Sequence, residues 1–570
     1  MAESDIPRDR VLRRMAALKN DRSSFDAHWR DLGQYMLPRR GRWFESDRGQ
    51  QGRKKHQKVI NPRALRASGI LASGMMSGLT SPARPWFRLT VADPELADFW
   101  RVRNWLDAVA QLMRDILARS NFYNTLPLMY RELGVFATAP VAMLEDARDV
   151  VRFYNFTVGS YYLGQDDRLM VDTFARDWTW TVSQVVGRYG LENCSKRVRD
   201  AYSTGKVDQP VRCVQLIDPN RSRVPDKADR TGMPFRSVVI EEGAEKGEKA
   251  LEDKGFNEFP ILASRWETMD DTAYGTACPG MDALGDVRSL QFHEVKSAEI
   301  LDKVNTPPLQ APGALQRQAV SLLPGQVTYR PPTQGQDAKV EPIYTPEPRA
   351  LDYTEKKIQR IESAIDSAFF ADLFLMLSNM AGVQPRNQLE LMERKEEKML
   401  VLGPVLEQLN TDTFDPAIDR LFNIMLRRNM LPPIPPELSG WPLKVEYTSV
   451  LAQAQKAIAT GNMERFAAFV GQLATVDAQV VDKLNGDQMA DDYADALGIP
   501  ARQVNSDEQV AEMREAKAKQ QQAAAMAAAA PALKQGVDAI AKAATTVPED
   551  GSLASGMQGI QGAMAQAMGG

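Results

Sequence analysis

The sequence offers few side chains at spacings that could support catalysis. Its three histidines, His28, His56 and His293, lie far apart in segments of different kinds, so they predict neither a metal site nor a Ser-His or Cys-His pair. No GxxxxGK[ST] phosphate loop occurs, because "STGKV" at Ser203 lacks the upstream glycine. A GxSxG nucleophile turn is missing as well. We therefore predict no enzymatic activity, no metal and no cofactor, and we favour a structural or interaction protein.

Cysteine content and hydropathy indicate a compartment and argue against a membrane span. Cys194, Cys213 and Cys278 are an odd number without CxxC or metal-type spacing, which indicates a reducing, cytosolic environment. We see no apolar leader segment at the N-terminus. The apolar stretch "FFADLFLMLSNM" is interrupted by Asp372 and Asn379, so it is too short to cross a bilayer.

Charge is nearly balanced along the chain except in one N-terminal segment. The formal net charge of -4 selects neither nucleic acid nor a membrane surface as a partner. Between Arg39 and Lys58, "RRGRWFESDRGQQGRKKHQK", eight Lys and Arg stand against two acidic residues. Two interpretations stay open, a solvated basic loop or a contact with nucleic acid or an acidic partner.

The spacing of apolar residues predicts helices first and strands afterwards. Apolar residues recur every three or four positions in residues 11–36, in a small-residue segment at about 62–82 that suggests close helix packing, and in two further segments that reach about 143. From about 150 to 270 the period is near two, and Val, Thr, Tyr, Phe and Trp alternate with Gly, Pro and Asp. This pattern is typical of an antiparallel β block. We predict an α+β fold that is mainly helical.

Two helical segments in the middle of the chain are apolar on one side only. The apolar side of the first is formed by Leu284, Val287, Leu290, Val295, Ala298 and Leu301. The apolar side of the second is formed by Ile358, Ile361, Ile365 and Phe369, and its polar side by Lys356, Arg360, Ser363 and Ser367. The intervening residues 305–336 are rich in proline and glutamine and have no acidic side chain. We predict that the two helices stack as neighbours and that the insert, with strand-like "GQVTYR" and "KVEPIYTP", projects from their far end.

The order of these segments resembles that of a known family. "WRDLGQYMLPRRGRWF", "SGILASGMMSGLTSPARPWFRL", the β block, "YGTACPGMDALGDVRSLQ", helix, insert, helix and "VEYTSVLAQAQKA" are similar to the portal, or head-to-tail connector, proteins of short-tailed double-stranded DNA phages. The resemblance covers roughly residues 8 to 500. Its most specific stretches are "SPARPWF" and "YTSVLAQAQ", and none of the stretches is a catalytic signature.

The resemblance implies a portal fold with wing, stem, clip and crown. The implied divisions are the wing at 1–281 and 388–446, the stem helices at 282–304 and 350–374, a small αβ clip at 305–349, the tunnel loop at 375–387, the crown at 447–505, and a low-complexity tail or crown extension at 506–570. For that tail two interpretations stay open, a flexible segment or a helix ordered by neighbouring subunits.

The resemblance also implies a function and partners. It implies a ring of about twelve identical subunits at one capsid vertex, whose channel serves DNA packaging and ejection. The implied partners are the tail adaptor, the terminase, the major capsid and scaffolding proteins and double-stranded DNA bound without sequence preference, but no membrane. The implied location is the virion, after assembly in the host cytoplasm.

The residues expected at the DNA channel are Asn379, Gln384, Arg386, Asn387, Lys356 and Arg360. The residues expected to contact the tail adaptor are Gln310, Arg317, Gln318, Gln326, Tyr329 and Arg330. Two rival functions remain compatible with the sequence. Another virion assembly or scaffold-type protein without a DNA channel would form no stable closed ring, and a cytosolic hydrolase or nuclease would cleave DNA with a divalent metal ion.

Overall fold

A computed structural model describes most of the chain. The described residues are 7–42, 58–93, 96, 99–227, 229–245, 248–269, 272–310, 341–343, 348–379, 402–438, 443–447, 466–473, 485–497 and 509–521. The chain divides into two compact units, Met1–Asn462 and Met463–Gly570.

Four helices open the first unit. They are α1 (Pro7–Tyr35), α2 (Arg63–Leu79), α3 (Trp100–Arg119) and α4 (Phe122–Phe136). The predicted period is confirmed in α1, where Val11, Leu18, Trp29 and Leu32 are all buried. The small residues of α2 permit the close approach that we expected, since a Cβ atom on Gly74 would lie 2.1 Å from the ring of Phe374.

The helix predicted to reach about residue 143 ends earlier, at Phe136. Ala137 adopts a left-handed backbone conformation with φ of 61°, which ends the helical path. The residues from Thr138 onward then form a strand that pairs with one other strand on each side. Tertiary pairing has here overridden a helical pattern in the sequence.

The antiparallel β block predicted from the sequence is confirmed. Its strands are β2 (Thr138–Asp146), β3 (Val150–Asn155), β4 (Tyr161–Gln165), β5 (Val171–Thr181), β6 (Pro210–Pro219), β7 (Phe235–Glu241), β8 (Glu252–Phe256) and β9 (Ile261–Arg265). They form a three-stranded sheet in the order β3-β2-β9 and a five-stranded sheet in the order β4-β5-β6-β7-β8. The fold class is therefore α+β, as predicted.

Two short helices follow β5 and cover one face of the larger sheet. They are α5 (Val182–Tyr189) and α6 (Lys196–Ser203). The strand-rich stretch around "TWTVSQ" ends at Thr181, because the Thr181 and Gln184 side chains form a reciprocal capping box at the start of α5. The opposite face of the sheet is covered by Val11 and Leu18 of α1.

Strands β1 (Phe87–Val91) and β12 (Leu443–Tyr447) join distant parts of the first unit. They pair antiparallel, with Phe87 opposite Tyr447. The Trp86 and Tyr447 rings stack with centroids 6.5 Å apart, and Phe414 contacts both rings. The strand pair is therefore fixed to an aromatic part of the main core.

The middle of the chain forms the predicted pair of helices. These are α7 (Pro279–Asn305) and α8 (Pro348–Ala368), and the two-residue strands β10 (Leu309–Gln310) and β11 (Glu341–Pro342) pair between them. Helix α9 (Ala371–Asn379) follows directly. Phe370 separates α8 from α9 with φ of 54°, so residues 350–374 contain the end of one helix and the start of another.

The chain then returns to the β block through residues 402–438. Residues 402–409 are helical (α10), Asn410–Phe414 form a π-helical turn, and α11 spans Asp415–Arg427. Asp412 of the π-helical turn accepts two hydrogen bonds of 2.8 Å from the buried Arg265 guanidinium. Arg420 of α11 donates to the carbonyl oxygens of Met143 and Glu258. These contacts attach the returning segment to strands β2 and β9 of the three-stranded sheet and to Glu258 before β9.

The second unit is helical in its described parts. Residues 466–473 form α12, Gly486–Leu497 form α13 and residues 509–521 form α14. Arg514 and Asp487 form an exposed bidentate ion pair with two 2.7 Å contacts. Of all the helices that the structure describes in either unit, none has the length and hydropathy that a bilayer crossing requires.

Candidate functional site

The helix pair α7–α8 with its two-stranded tip is the candidate functional site. Helix α7 has 27 residues and α8 has 21, which correspond to lengths of about 40 Å and about 30 Å. The chain leaves α7 at Asn305 and re-enters at Pro348, so the two helices run antiparallel. They pack along each other, as predicted.

The proximal half of the pair, residues 279–291 and 361–368, is part of the main core. Val287 and Leu290 of α7 and Ile365 of α8 are 0% exposed, and Phe369 directly after α8 is also 0% exposed. Helix α7 begins very close to α4, because a Cβ atom on Gly280 would lie 2.7 Å from the Cα atom of Val135. This end of the pair is therefore rigidly attached to the N-terminal helices.

The distal half, residues 292–305 and 348–360, has large apolar side chains on its surface. Phe292 is 57% exposed, Leu301 is 47% exposed and Tyr353 is 75% exposed. The predicted apolar side of α7 is thus buried at Leu284, Val287 and Leu290 but open at Val295, Ala298 and Leu301. In a single subunit nothing covers this surface within the described parts of the chain.

A polar bracket holds the pair at the junction of its two halves. The amide nitrogens of Ile60 and Asn61 donate to Gln291 Oε1 of α7 over 2.7 and 2.9 Å. The Asn61 side-chain amide donates to Glu294 of α7 over 2.7 Å and to Glu362 of α8 over 2.8 Å. One residue of the N-terminal region therefore joins the two helices through hydrogen bonds.

An ion pair next to the bracket adds a second connection. The guanidinium of Arg63 donates to both carboxylate oxygens of Asp366 in α8, with 2.8 Å between Nε and Oδ1. This hydrogen bonding to Asp366 raises the pKa of Arg63 above its ordinary value. Together with the bracket, it fixes the angle at which the distal half leaves the core.

The tip of the pair is a minimal antiparallel ladder. Leu309 pairs with Pro342 and Gln310 with Glu341, and the Ile343 amide donates to the Pro308 carbonyl over 2.8 Å. Gln310 is exposed on β10. The other residues predicted to contact the tail adaptor, Arg317, Gln318, Gln326, Tyr329 and Arg330, lie outside the described residues.

The structure places two of the predicted channel residues on one exposed surface. Lys356 and Arg360 are both exposed on α8, on the side opposite the buried Ile361 and Ile365. Asn379 is the last residue of α9. Gln384, Arg386 and Asn387 lie outside the described residues. The predicted polar side of α8 is therefore confirmed as a solvent-facing surface, while contact with DNA stays a prediction.

The thiols in the described chain are chemically quiet. Burial raises the pKa of Cys278 and of Cys213 to about 12 each and that of Cys194 to about 11, so all three are protonated at neutral pH and poor nucleophiles. His28 is exposed on α1. Within the parts of the chain that the structure describes, no group of His, Cys, Asp or Glu is placed to hold a metal ion.

Comparison with known proteins identifies the family. The family model described as "Bacteriophage head to tail connecting protein" matches residues 8–504. The chain belongs to this connector family.

Two relatives of the connector chain are similar over almost their whole lengths. A protein named "Portal protein" of Salmonella phage epsilon15 is 42% identical over 548 residues, which are 96% of this chain and 97% of the relative. A "Probable portal protein" of Bordetella phage BPP-1 is 40% identical over 546 residues, which are 95% and 96% of the two chains. A solved structure, "Virion of native gene transfer agent (GTA) particle", aligns with 72% of this chain and 86% of its own at TM-score 0.34 and 11% identity, a level too low to support an inference about the fold.

Described residues from the two sequence stretches on which the resemblance mainly rested contact each other. "SPARPWF" supplies Trp86 and Phe87, and "VEYTSVLAQAQ" supplies Tyr447. These residues form the β1–β12 pair and its aromatic contacts. Trp86, Phe87 and Tyr447 therefore form a structural junction of the connector.

The bracket in this connector was not predicted from the sequence. Asn61 immediately precedes Pro62 at the start of α2, and an Asn-Pro dipeptide signals a turn or a helix start. That signal identifies a local conformation but gives no partner. Glu294 and Glu362 lie more than two hundred residues further along the chain, so only the folded structure reveals the contact.

Proposed function

We propose that this chain is a portal subunit, of which about twelve copies form a closed ring at one capsid vertex. The channel of that ring carries double-stranded DNA during packaging and ejection. Support comes from the 42% and 40% identity to proteins named as portals, over nearly the full lengths of both relatives.

The exposed distal half of α7–α8 is the observation that carries the ring proposal. Phe292, Leu301 and Tyr353 are exposed together in the distal half of a single subunit, and a concentration of exposed apolar side chains on one element indicates an interaction site. A head-to-tail ring offers each subunit a neighbour on either side. The distal half is then the stem, in keeping with the expected stem helices at 282–304 and 350–374.

The stem's exposed cations suit DNA that must move. Each phosphate that a Lys or Arg neutralises adds affinity through counterion release, so a few scattered cations bind DNA weakly. Lys356 and Arg360 are exposed on α8. We assign them, with Asn379, Gln384, Arg386 and Asn387 of the expected tunnel loop at 375–387, to weak contacts with phosphates.

The tip and the residues between β10 and β11 are proposed as the docking surface for the tail adaptor and the terminase. Gln310, Arg317, Gln318, Gln326, Tyr329 and Arg330 are the proposed contact residues. Glutamine and arginine provide hydrogen bonds with little fixed charge, which suits successive partners. The wing at 1–281 and 388–446 and the crown at 447–505 are proposed to face the capsid interior, where the major capsid and scaffolding proteins would be met.

Negative-stain imaging of the purified chain tests the ring. We expect closed rings of about twelve subunits with a central hole, and intact DNA after incubation with Mg²⁺ or Mn²⁺. Assemblies without closure would favour another virion assembly or scaffold-type protein. Metal-dependent DNA cleavage would favour a nuclease and contradict the structural role proposed here.

A further inference from the structure

A cluster of cations surrounds the C-terminal end of α1 and includes none of the residues assigned to the channel. Its members are Arg39, Arg40, Arg42, Lys58, Arg131 and Arg288. Three segments bring them together: the turn after α1, the residues before α2, and the outward side of α7. Helix α4 adds Arg131, whose guanidinium donates to the Leu65 carbonyl over 2.9 Å.

Tyr35, the last residue of α1, organises one part of the cluster. The Lys58 Nζ atom lies 5.5 Å from the centre of the Tyr35 ring, and the Arg288 Cζ atom lies 5.4 Å from it. Lys58 also donates to Gln34 Oε1 over 2.6 Å. Arg288 forms an exposed ion pair of 2.5 Å with Asp31. Two cations are thus held beside one aromatic ring at the surface.

The other part of the cluster lies around Glu132, a buried residue that forms an ion pair with Arg40. The residue is 3% exposed, and its carboxylate lies 3.3 Å from Nη1 of Arg40, whose side chain is 34% exposed. The turn itself is fixed, because the Gly41 amide donates to Thr157 and the Arg42 amide donates to the Val158 carbonyl. Arg40 is therefore held at the surface with its outer side open to solvent.

These contacts leave the cluster positive. The carboxylates that they supply are Asp31 and Glu132, and the end of α1 contributes about half a negative charge, against six cations. Burial, and secondarily the like charge of Arg40, lowers the pKa of Arg131, as expected where cations crowd together. The sequence between Arg42 and Lys58 contains four further Lys and Arg and two acidic residues, so it does not neutralise the cluster.

We propose that this cluster binds the phosphate backbone of double-stranded DNA, as a contact separate from the channel. Phosphates are contacted mainly by Arg and Lys, with amide side chains such as Gln34 in support. The choice of double-stranded DNA among phosphate polymers rests on the proposed function.

The test is fluorescence anisotropy of a labelled 30-base-pair DNA of arbitrary sequence with the full-length chain over a range of salt. The double variant Lys58→Gln/Arg288→Gln removes one Lys and one Arg from the cluster. The control Arg199→Gln/Lys206→Gln removes the same charge from exposed positions around α6. All four side chains are exposed, so circular dichroism should show unchanged folding.

For the cluster variant we expect affinity to fall about tenfold or more near 0.1 M salt, and the slope of log K against log salt to fall by about two. The control should keep the affinity and slope of the unaltered chain. Equal losses in both variants would overturn the proposal, since only net charge would then matter. Binding of the same variants to polyglutamate is measured in parallel. If the cluster variant loses polyglutamate binding but keeps its DNA affinity, the proposal is overturned in favour of an acidic protein partner.

The result is separable from the ring proposal. The same protein samples are also imaged for rings. Lys58 and Arg288 lie outside the distal half of the helix pair, to which the ring contacts are assigned, so the two substitutions should not affect ring formation. Rings without a change in DNA affinity would refute the cluster alone. A loss of DNA affinity in a chain that forms no rings would refute the ring alone.

Discussion

The proximal and distal halves of the α7–α8 pair differ in environment although one sequence pattern runs through both. In the proximal half, Val287 and Ile365 are 0% exposed, whereas Leu301 in the distal half is 47% exposed. An amphipathic pattern states only that a helix has an apolar side; burial also requires a neighbour. The neighbours α1, α2 and α4 pack against the proximal half, and within the described parts of the chain no neighbour covers the apolar side chains of the distal half.

The strongest test of this comparison replaces Phe369, which directly follows the proximal half of α8, and Phe292 in the distal half of α7. Phe369→Ala should destabilise the monomer by about 3 to 5 kcal/mol, because it leaves a cavity in the core. Phe292→Ala, at a position 57% exposed, should change the free energy of unfolding by no more than about 0.5 kcal/mol. Urea unfolding of dilute protein, followed by tryptophan fluorescence, measures both. Similar losses at the two positions would show that the distal half is covered within the monomer.

A pH titration probes Glu132, a buried residue of α4, the helix that packs against the start of α7. Burial raises the pKa of Glu132 to about 7, against an ordinary value of 4.5. The folded state therefore binds this proton more tightly than the unfolded state, and the associated stability is complete below about pH 4.5 and is lost as pH rises through 7. Glu132→Gln should remove a pH-dependent change in the free energy of unfolding of at most about 3 kcal/mol.

The measurement for Glu132 is urea unfolding of both proteins at pH 5 and pH 8. Glu355→Gln, at an exposed position in the distal half, serves as the matched control and should leave the pH dependence intact. If Glu132→Gln keeps the slope of the unaltered chain, the buried carboxyl does not titrate in this range.

Asn61→Ala separates the halves at the bracket itself. The change removes two hydrogen bonds to the Glu294 and Glu362 carboxylates, and a hydrogen bond to a charged group makes a net contribution of about 1.5 to 3 kcal/mol. Because these glutamates are only half-buried, we expect a net loss of about 1 to 2 kcal/mol. Amide hydrogen exchange should become faster in the distal half, residues 292–305 of α7 and 348–360 of α8. Asn305→Ala at the exposed end of α7 is the control, and equal effects there would argue against a local bracket.

The smallest effect on stability is expected at the tip. Residues 311–340 are replaced by Asn-Gly, a two-residue turn that suits antiparallel partners, since Gln310 and Glu341 already pair. The free energy of unfolding should change by less than about 0.5 kcal/mol. Rings should still assemble and tail attachment should fail in an in vitro assembly assay. Normal tail attachment would remove the proposed docking surface from this segment.

Local periodicity was sufficient for some elements and insufficient for others. It predicted the isoleucine side of α8, because Ile361 and Ile365 recur at helical spacing and both meet the core. It failed after Phe136, where Ala137 turns left-handed and β-pairing takes over. For α7 it predicted the apolar side of the helix but not which part of that side is buried. A pattern within one helix contains no information about where its neighbours end.

Contacts between distant residues were beyond the reach of the sequence. The buried pair Arg265–Asp412 and the bracket at Asn61 join residues well over a hundred positions apart, and a single sequence does not indicate such partners. The exposed Lys356 and Arg360 were predicted correctly as a polar side of α8, because amphipathicity is a local property.

The β1–β12 pair has a consequence for the order in which the protein is made. Phe87 and Tyr447 are cross-strand partners 360 positions apart, and a ribosome adding about 5 to 20 residues per second needs about 20 to 70 s to travel between them. Until then β1 has an unpaired edge, and Trp86 lacks its contacts with Phe414 and Tyr447. The first unit is therefore completed only when most of the chain has left the ribosome, and a truncated chain that stops before residue 443 should stay open at this edge and be a substrate for chaperones.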